Sequence, residues 1–291
     1  MTNKLSLVTG ATSGIGYITA LELARKGSAV ILHGRNEQKL KRTRNQIHND
    51  TNNDHIYLLQ ADFSSLEQVQ KAADQINQDY KVIDVLVNNA GLIFGSERHT
   101  SPDGFELTIA INHLAPFAFT KLIFDRIAAA REGRIINVAS EAHLAAAPDF
   151  EDFNMEQSYA GFRAYANSKL YNIMFTKELA GRLSNYPNVT TYSLHPGTVA
   201  TNFSASAGGL TNFAFKLMRP FLTSAKKGAQ TSIYLASAND IPANSGSYFI
   251  NQKPAKVKHK FYTEENNAKL WEISEMLTGE PFLSEAEKVS K

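Results

Sequence analysis

Tyr165 and Lys169, in the stretch Tyr165-Ala-Asn-Ser-Lys169, are the residues of this chain best suited to move a proton. Four residues apart, they share one face of a helix. A free phenol, with a pKa of about 10, is a poor acid–base group at neutral pH. A nearby ammonium stabilises the phenolate and lowers that value toward the range a general acid–base catalyst needs. Of the 11 tyrosines, only Tyr165 has a lysine at the fourth position after it. In isolation, an exposed helix-face pair explains the spacing equally well. Three further features keep it company. Ser140 closes the apolar run "GRIINVAS", where its hydroxyl would face a site or cap a turn. "NNAG", Asn88 to Gly91, closes another run, as a cleft wall or an Asn-rich turn. "HPGTVATN", His195 to Asn202, closes a third, and Pro196-Gly197 gives it a sharp exit.

A second chemistry is written near the N-terminus. "LVTGATSGIG" places Gly10, Gly14 and Gly16 in the pattern G-x-x-x-G-x-G, with Thr12, Ser13 and Ile15 inside the turn. No Gly-Lys-Ser/Thr follows, so it is not a Walker A loop. Glycines permit a tight turn and close backbone approach to a pyrophosphate, and the helix that follows offers free N–H groups and a positive dipole end. A ligand-free glycine-rich turn is the alternative; position after a first strand and before an amphipathic helix favours a nucleotide. An NAD site would place a carboxylate at the end of the second strand. Here that region is "HGRN", His33 to Asn36, without a carboxylate until Glu37. Arg35, with Asn36 beside it, can instead pair with a 2′-phosphate, so NADP(H) is expected in preference to NAD(H). Arg35 as a solvated surface arginine is the bland reading. Asp62, followed by Phe63, is placed to hydrogen-bond an adenine ring, or else to serve as a turn or cap carboxylate beside Ser64.

These residues need a scaffold that brings them to one edge. The runs "KLSLVTG", "SAVILHGR", "HIYLLQAD", "VIDVLVNNAG", "GRIINVAS", "VTTYSLHPG" and "SGSYFI" read as strands, several almost continuously apolar, as in a parallel sheet covered on both faces. Between them lie helical patterns. "ITALELARKG" stops at Gly27. "SSLEQVQKAADQI" opens on Ser64 with Glu67 three residues later, a capping box. "TEENNAKLWEISEMLTGEP" has Thr263 as cap and Gly279 and Pro281 as stops. The alternation predicts an α/β fold: one Rossmann-type, doubly wound parallel sheet of about seven strands with helices on both faces. One domain spans 1–291, with a substrate lid at about 199–225 and a C-terminal helical segment at about 263–279. In such sheets ligands bind at the carboxyl ends of the strands.

The 291 residues carry a net charge of +2, too small to argue for a nucleic-acid or membrane-surface partner. With no cysteine there is no disulfide, thiol nucleophile or thiolate metal site, and no metal is expected. No segment has the roughly 18 apolar residues of a membrane helix, and the N-terminus leaves no room for a signal peptide, so a cytoplasmic location is expected. The chain could assemble as a homodimer or homotetramer.

"TGATSGIG", "NNAG", Ser140 with Tyr165-x-x-x-Lys169, and "HPG", in that order, resemble the short-chain dehydrogenase/reductase family from about Lys4 to Gly279. More narrowly, "DGFELTIAINHLAPFAFTKLI", "AYANSKLYNIMFTKELAGRL", "LHPGTVATNF", "GAQTSIYLAS" and "KLWEISEMLTG" resemble its retinol-dehydrogenase-like branch. The resemblance implies that Tyr165 protonates a carbonyl oxygen or deprotonates the alcohol, and that Lys169 lowers its pKa and holds the nicotinamide ribose. Ser140 would orient the carbonyl. Asn112 would complete a water relay to Lys169. Asn89, Ala90 and Gly91, through their backbone, with Pro196, Gly197, Val199 and Thr201, would line the cofactor. The implied activity is NADP(H)-dependent interconversion of a hydrophobic aldehyde or ketone with its alcohol; a non-catalytic NADP(H) sensor of the same fold is the alternative.

The branch usually has Gly-His after Asn-His-Leu; here Ala115-Pro116 stands there. Proline has no N–H, so within a helix it leaves the carbonyl four residues back, that of Asn112, without its donor. Pro116 is therefore expected to build in a kink, unless it lies in a helix's first turn, where it costs nothing. Apolar walls for a substrate are expected from "AAAPDFEDFNM" after Ser140 and from Phe203, Phe213, Phe215, Met218 and Phe221 of the lid; core packing or an oligomer interface would account for the same aromatics. Retinoid enzymes of the branch often carry a membrane anchor that no segment here matches. Retinoid, small or aromatic carbonyl and steroid-like substrates therefore stay open.

Overall fold

The computed structural model describes residues 1–2, 4–197, 224–279 and 281–283. The lid at 199–225 lies outside the described residues except for Ser224 and Ala225, which cap and open a short helix, Ala225–Gly228. Val199, Thr201 and the five lid side chains also lie outside them.

The seven expected strands are all present: β1 (Leu5–Val8), β2 (Ala29–Gly34), β3 (Ile56–Gln60), β4 (Val85–Asn88), β5 (Gly133–Val138), β6 (Val189–His195) and β7 (Tyr248–Ile250). An eighth, β8 (Lys253–Ala255), was not expected. It is three residues long, contains Pro254, and folds back antiparallel on β7 through Asn251 and Gln252, both at positive φ. The order is β3-β2-β1-β4-β5-β6-β7-β8, and every pairing but the last is parallel. The order reverses direction after β1, at the β1/β4 boundary, where a doubly wound sheet opens its ligand cleft.

Residues alternate between the sheet's faces, and the core follows. Leu7, Ile31, Leu86 and Ile135 face one layer, containing α3 (Leu66–Asp79), α5 (Ala115–Leu122), α7 (Gly161–Arg182) and Trp271 of the C-terminal helix Glu264–Thr278. Val8, Val30, Leu32, Val87 and Ile136 face the other, with α1 (Gly14–Arg25), α2 (Glu37–Thr51) and Leu235. With both faces covered, the strands need no polar side, which is why they read as apolar runs.

Helix ends are set as the sequence predicts in two cases. The Thr263 hydroxyl accepts the Asn266 N–H, and Gly27, just beyond α1, takes φ +84°. At α3 the cap moves by one residue. Ser65, not Ser64, accepts the Gln68 N–H, because the Ser64 N–H donates to Asp62 and the Leu66 N–H to Asp103. Glu67 does not reach back; it pairs with Lys71 one turn on.

The helix after β4 changes register. α4 (Leu107–Ile109) runs into a π-turn, Ala110–Leu114, in which the Ala115 N–H reaches back five residues to the Ala110 carbonyl. α5 continues from it with Pro116 in its first turn, and α6 (Phe124–Ala128) follows. Pro116 stands in the first turn of α5, the alternative considered for it, although Leu114 and Ala115 before it are already helical. The wide turn itself lies upstream of the proline. Among the described residues, no helix is long and apolar enough to cross a membrane.

Candidate active site

The glycine turn is built for close approach. Gly10 and Gly14 sit at φ +64° and +57°, and the N-cap Ser13 makes no side-chain bond to α1, so the helix start is not capped from within. A Cβ on Gly16 would lie 2.4 Å from the Gly10 carbonyl, and one on Gly10 2.9 Å from the Ala90 Cα. Substituents there are excluded by backbone, leaving Thr12, Ser13 and Ile15 on the rim.

Residues outside the glycine pattern hold this turn. The Thr9 hydroxyl accepts the N–H groups of Asn89 and Ala90, each at 2.9 Å, and the Asn89 carboxamide donates to the Thr9 carbonyl at 2.8 Å. The Asn89 and Ala90 amides therefore have partners within the fold. His33 accepts the Gly10 N–H on Nδ1 and bonds the Ala61 carbonyl through Nε2, while stacking on Phe63 at 4.0 Å. Burial brings its pKa down to about 4, so it works as a neutral linker. Thr9 and His33 were missed as site residues; their positions at strand ends beside the glycine turn were the available signal.

At the second-strand edge, Arg35 is exposed and makes no ion pair among the described residues, whereas the Asn36 carboxamide caps α2 by accepting the Lys39 N–H at 2.9 Å. One Asp62 oxygen accepts the Ser64 N–H at 2.9 Å, the turn role considered for it. The Phe63 ring is buried against His33 and Phe119, so only its backbone can meet a ligand.

The proposed proton-transfer residues converge at the carboxyl ends of β4 and β5. Tyr165 and Lys169 project from α7, and the lysine Nζ lies 5.5 Å from the tyrosine ring centroid. The Ser140 side chain is hydrogen-bonded to the Tyr165 hydroxyl and accepts the Ala142 N–H at 3.2 Å. Lys169 donates to the Val138 carbonyl at 3.1 Å. Asn112, fully buried in the π-turn, exchanges two bonds with the Leu92 backbone at 2.9 Å and donates to the Ser168 hydroxyl at 3.0 Å. Gly91 stands between the two: a Cβ there would lie 3.2 Å from Asn112 Oδ1 and 3.3 Å from Lys169 Nζ.

The electrostatics differ from the sequence expectation. Burial pushes the Tyr165 phenol up to about 12, the Ser140 hydrogen bond pulling the other way, and burial brings the Lys169 ammonium down to about 8. Removal from water shifts each group toward its neutral form, yet at neutral pH the phenol is protonated and the amine is still mostly the ammonium.

The segment expected to wall a substrate pocket is partly core. Phe153 stacks on Tyr171 of α7 at 5.2 Å, and Phe153 and Met155 are both buried. Pro196 and Gly197, the latter at φ +86°, line a cavity of about 250 Å³ with Glu141, His195, Lys227, Ile250 and Asn251.

A glycine turn at a helix start and a Ser–Tyr–Lys set on the same sheet edge define a dinucleotide-dependent oxidoreductase, and the comparisons agree. The short chain dehydrogenase family model matches residues 4–209, and the chain belongs to that family. Within it the chain falls in the retinol-dehydrogenase-like branch. It is 34% identical to retinol dehydrogenase 12 of Mus musculus, over 95% of this chain and 86% of that one. It is 37% identical to retinol dehydrogenase 13 of Homo sapiens, over 95% and 85%. A Streptomyces sp. (strain C5) relative bearing the name of a daunorubicin C-13 ketoreductase is 38% identical over 94% and 92%. Among solved structures, an uncharacterized protein from Mycobacterium Paratuberculosis superposes with a TM-score of 0.78 at 30% identity, covering 97% of this chain and 95% of that one. A short chain dehydrogenase from Shigella flexneri 2a, complexed with NADP, shares the fold: TM-score 0.69, 23% identity, coverage 87% and 98%.

Proposed function

We propose that this protein is an NADP(H)-dependent oxidoreductase that interconverts a hydrophobic aldehyde or ketone and its alcohol, with Tyr165 as general acid and base. The observation carrying this reading is the meeting of Ser140, Tyr165, Lys169 and Asn112 beside a glycine turn that admits no side chain.

The residues suit a nicotinamide dinucleotide. Gly10, Gly14 and Gly16 and the start of α1 would take the pyrophosphate, Arg35 a 2′-phosphate, Asp62 the adenine, and Gly91 with Lys169 the nicotinamide ribose. When bound, that cofactor supplies or accepts the hydride. The remaining work belongs to the chain. In reduction, Ser140 holds the carbonyl oxygen and Tyr165 donates its hydroxyl proton to it. The phenolate left behind is stabilised by the Ser140 hydroxyl and by the Lys169 ammonium. In oxidation the same proton returns from the alcohol to Tyr165. A phenol held protonated up to about 12 carries, at neutral pH, the proton that carbonyl reduction consumes. Pro116 offers no N–H to the Asn112 carbonyl, which then has a lone pair for a water bridging toward Lys169.

NADPH consumption, followed by absorbance against a panel of aldehydes and ketones, tests the reading. Turnover of an apolar carbonyl is expected. NADPH binding without turnover on any of them would instead identify a nucleotide sensor.

A further inference from the structure

Ser140 stands one residue beyond the end of a ladder. β5 and β6 pair through Val138 and Leu194, and the last backbone rung is the Ala139 N–H on the Leu194 carbonyl at 2.8 Å. Past that rung the loop bearing Ser140 turns into a 3₁₀ segment, Glu141–Ala145, with no further strand to hold it. Its next tie to β6 is a side chain. His195, the last residue of β6, accepts the Glu141 N–H on Nδ1 at 3.1 Å, and its Nε2 meets the Glu141 carboxylate at 3.1 Å. Because Nδ1 accepts, the proton sits on Nε2 and is donated to the carboxylate. One imidazole thus grips the residue after Ser140 at both backbone and side chain. His143 completes the brace from the loop's own side, with its ring Nδ1 2.7 Å from the Ser140 carbonyl.

We propose that His195 is a positioning residue for Ser140: its neutral imidazole adds a side-chain rung to the β5–β6 ladder and so aims the Ser140 hydroxyl at Tyr165. The inference rests on the oxidoreductase reading above. It also gives the histidine before Pro196-Gly197 work of its own, since His195 is 6% exposed and its ring faces the loop. Protonation at Nδ1 would turn acceptor into donor and break the Glu141 N–H bond. The groups that decide this are Glu141, which favours the charged ring, and burial and His143, which oppose it. Lys227 shares the same cavity, and Tyr248 of β7 packs its ring on His143. Burial wins, and the ring's pKa lies below the ordinary histidine value, so the rung is intact at neutral pH and lost on acidification.

Two substitutions separate the atoms. His195→Asn can place an oxygen where Nδ1 stands and keep the Glu141 N–H bond. His195→Gln can reach the carboxylate but offers no acceptor at Nδ1. With saturating NADPH, kcat for carbonyl reduction is expected to fall about tenfold in His195→Gln, the worth of one net hydrogen bond. His195→Asn recovers most of the rate, and KM for NADPH stays unchanged in both. The wild-type kcat profile should show an acid limb that His195→Asn lacks. Hydrogen exchange of the peptide 139–146, measured without cofactor or substrate, should be faster in His195→Gln than in wild type and His195→Asn. Unchanged exchange in His195→Gln overturns the proposal, as does faster exchange with unchanged kcat. Should the wild type reduce no carbonyl at all, the oxidoreductase reading fails, and faster exchange in His195→Gln alone still supports the rung.

Discussion

Arg35 and Asn36 stand side by side at the end of β2, yet only one is free to choose a ligand. The Asn36 carboxamide is held as the α2 cap, a role worth about 1 kcal/mol, while the Arg35 guanidinium is exposed and makes no ion pair among the described residues. A charged hydrogen-bond pair to a 2′-phosphate is worth roughly 1.5–3 kcal/mol, or about tenfold to a hundredfold in affinity. Arg35→Ala is therefore expected to raise the dissociation constant for NADPH by that factor and leave NADH nearly unchanged, as read by fluorescence titration. Equal losses for both nucleotides would contradict the assignment. The spacing of Tyr165 and Lys169 was legible from five letters, because helix geometry forces the two onto one face. Their acid–base balance was not, because it depends on how much water the fold removes, and no local pattern encodes that.

At the scale of elements, α7 carries the tyrosine and its start is set by one glycine. A Cβ on Gly161 would fall 2.0 Å from the Gly95 carbonyl oxygen and 2.5 Å from that of Phe94. Both obstacles are backbone, so Gly161→Ala must push the first turn of α7 away from the segment after β4. Tyr165 lies one turn further on. The expected outcome is a loss of ~1–3 kcal/mol of stability together with reduced kcat, measured by denaturant unfolding and by steady-state kinetics. An Ala variant as stable and as active as wild type would show that the contact is not tight. The helical face shared by Tyr165 and Lys169 was legible in the sequence but this junction was not, since the contact joins residues 66 positions apart. The π-turn was hidden for a similar reason. Pro116 marked the neighbourhood, but the five-residue reach from Ala115 to Ala110 lies one turn earlier. β8 escaped because three residues around a proline give no period to read.

For the whole molecule, the same burial that builds the core fixes its response to acid. His113 is buried among Phe117, Phe153, Tyr171 and Phe175, with Nε2 2.8 Å from the Ser274 hydroxyl, and burial brings its pKa down to about 3. His33 is held at about 4 for the same reason. Both are neutral in the fold, while in the unfolded chain they take protons below about 6.5. Stability is therefore full above that pH and falls as pH drops toward about 4, by ~1.4 kcal/mol per pH unit for each histidine. Unfolding free energies measured between pH 7 and 4.5 should show a slope approaching two protons beyond that of the carboxylates; a flat profile would contradict it. The sheet order and the two covered faces were legible because apolar runs and strand–helix alternation recur along the chain. The internal histidine network was not, because a histidine's letter says nothing of whether its ring meets water.

The central claim is that Tyr165 transfers the proton. Tyr165→Phe removes one oxygen and leaves the ring above Lys169. With the wild-type carbonyl substrate, kcat is expected to fall about 10²–10⁴-fold, the usual worth of a general acid, while the dissociation constant for NADPH stays the same. A Tyr165→Phe enzyme that reduces the carbonyl at the wild-type rate would contradict the account.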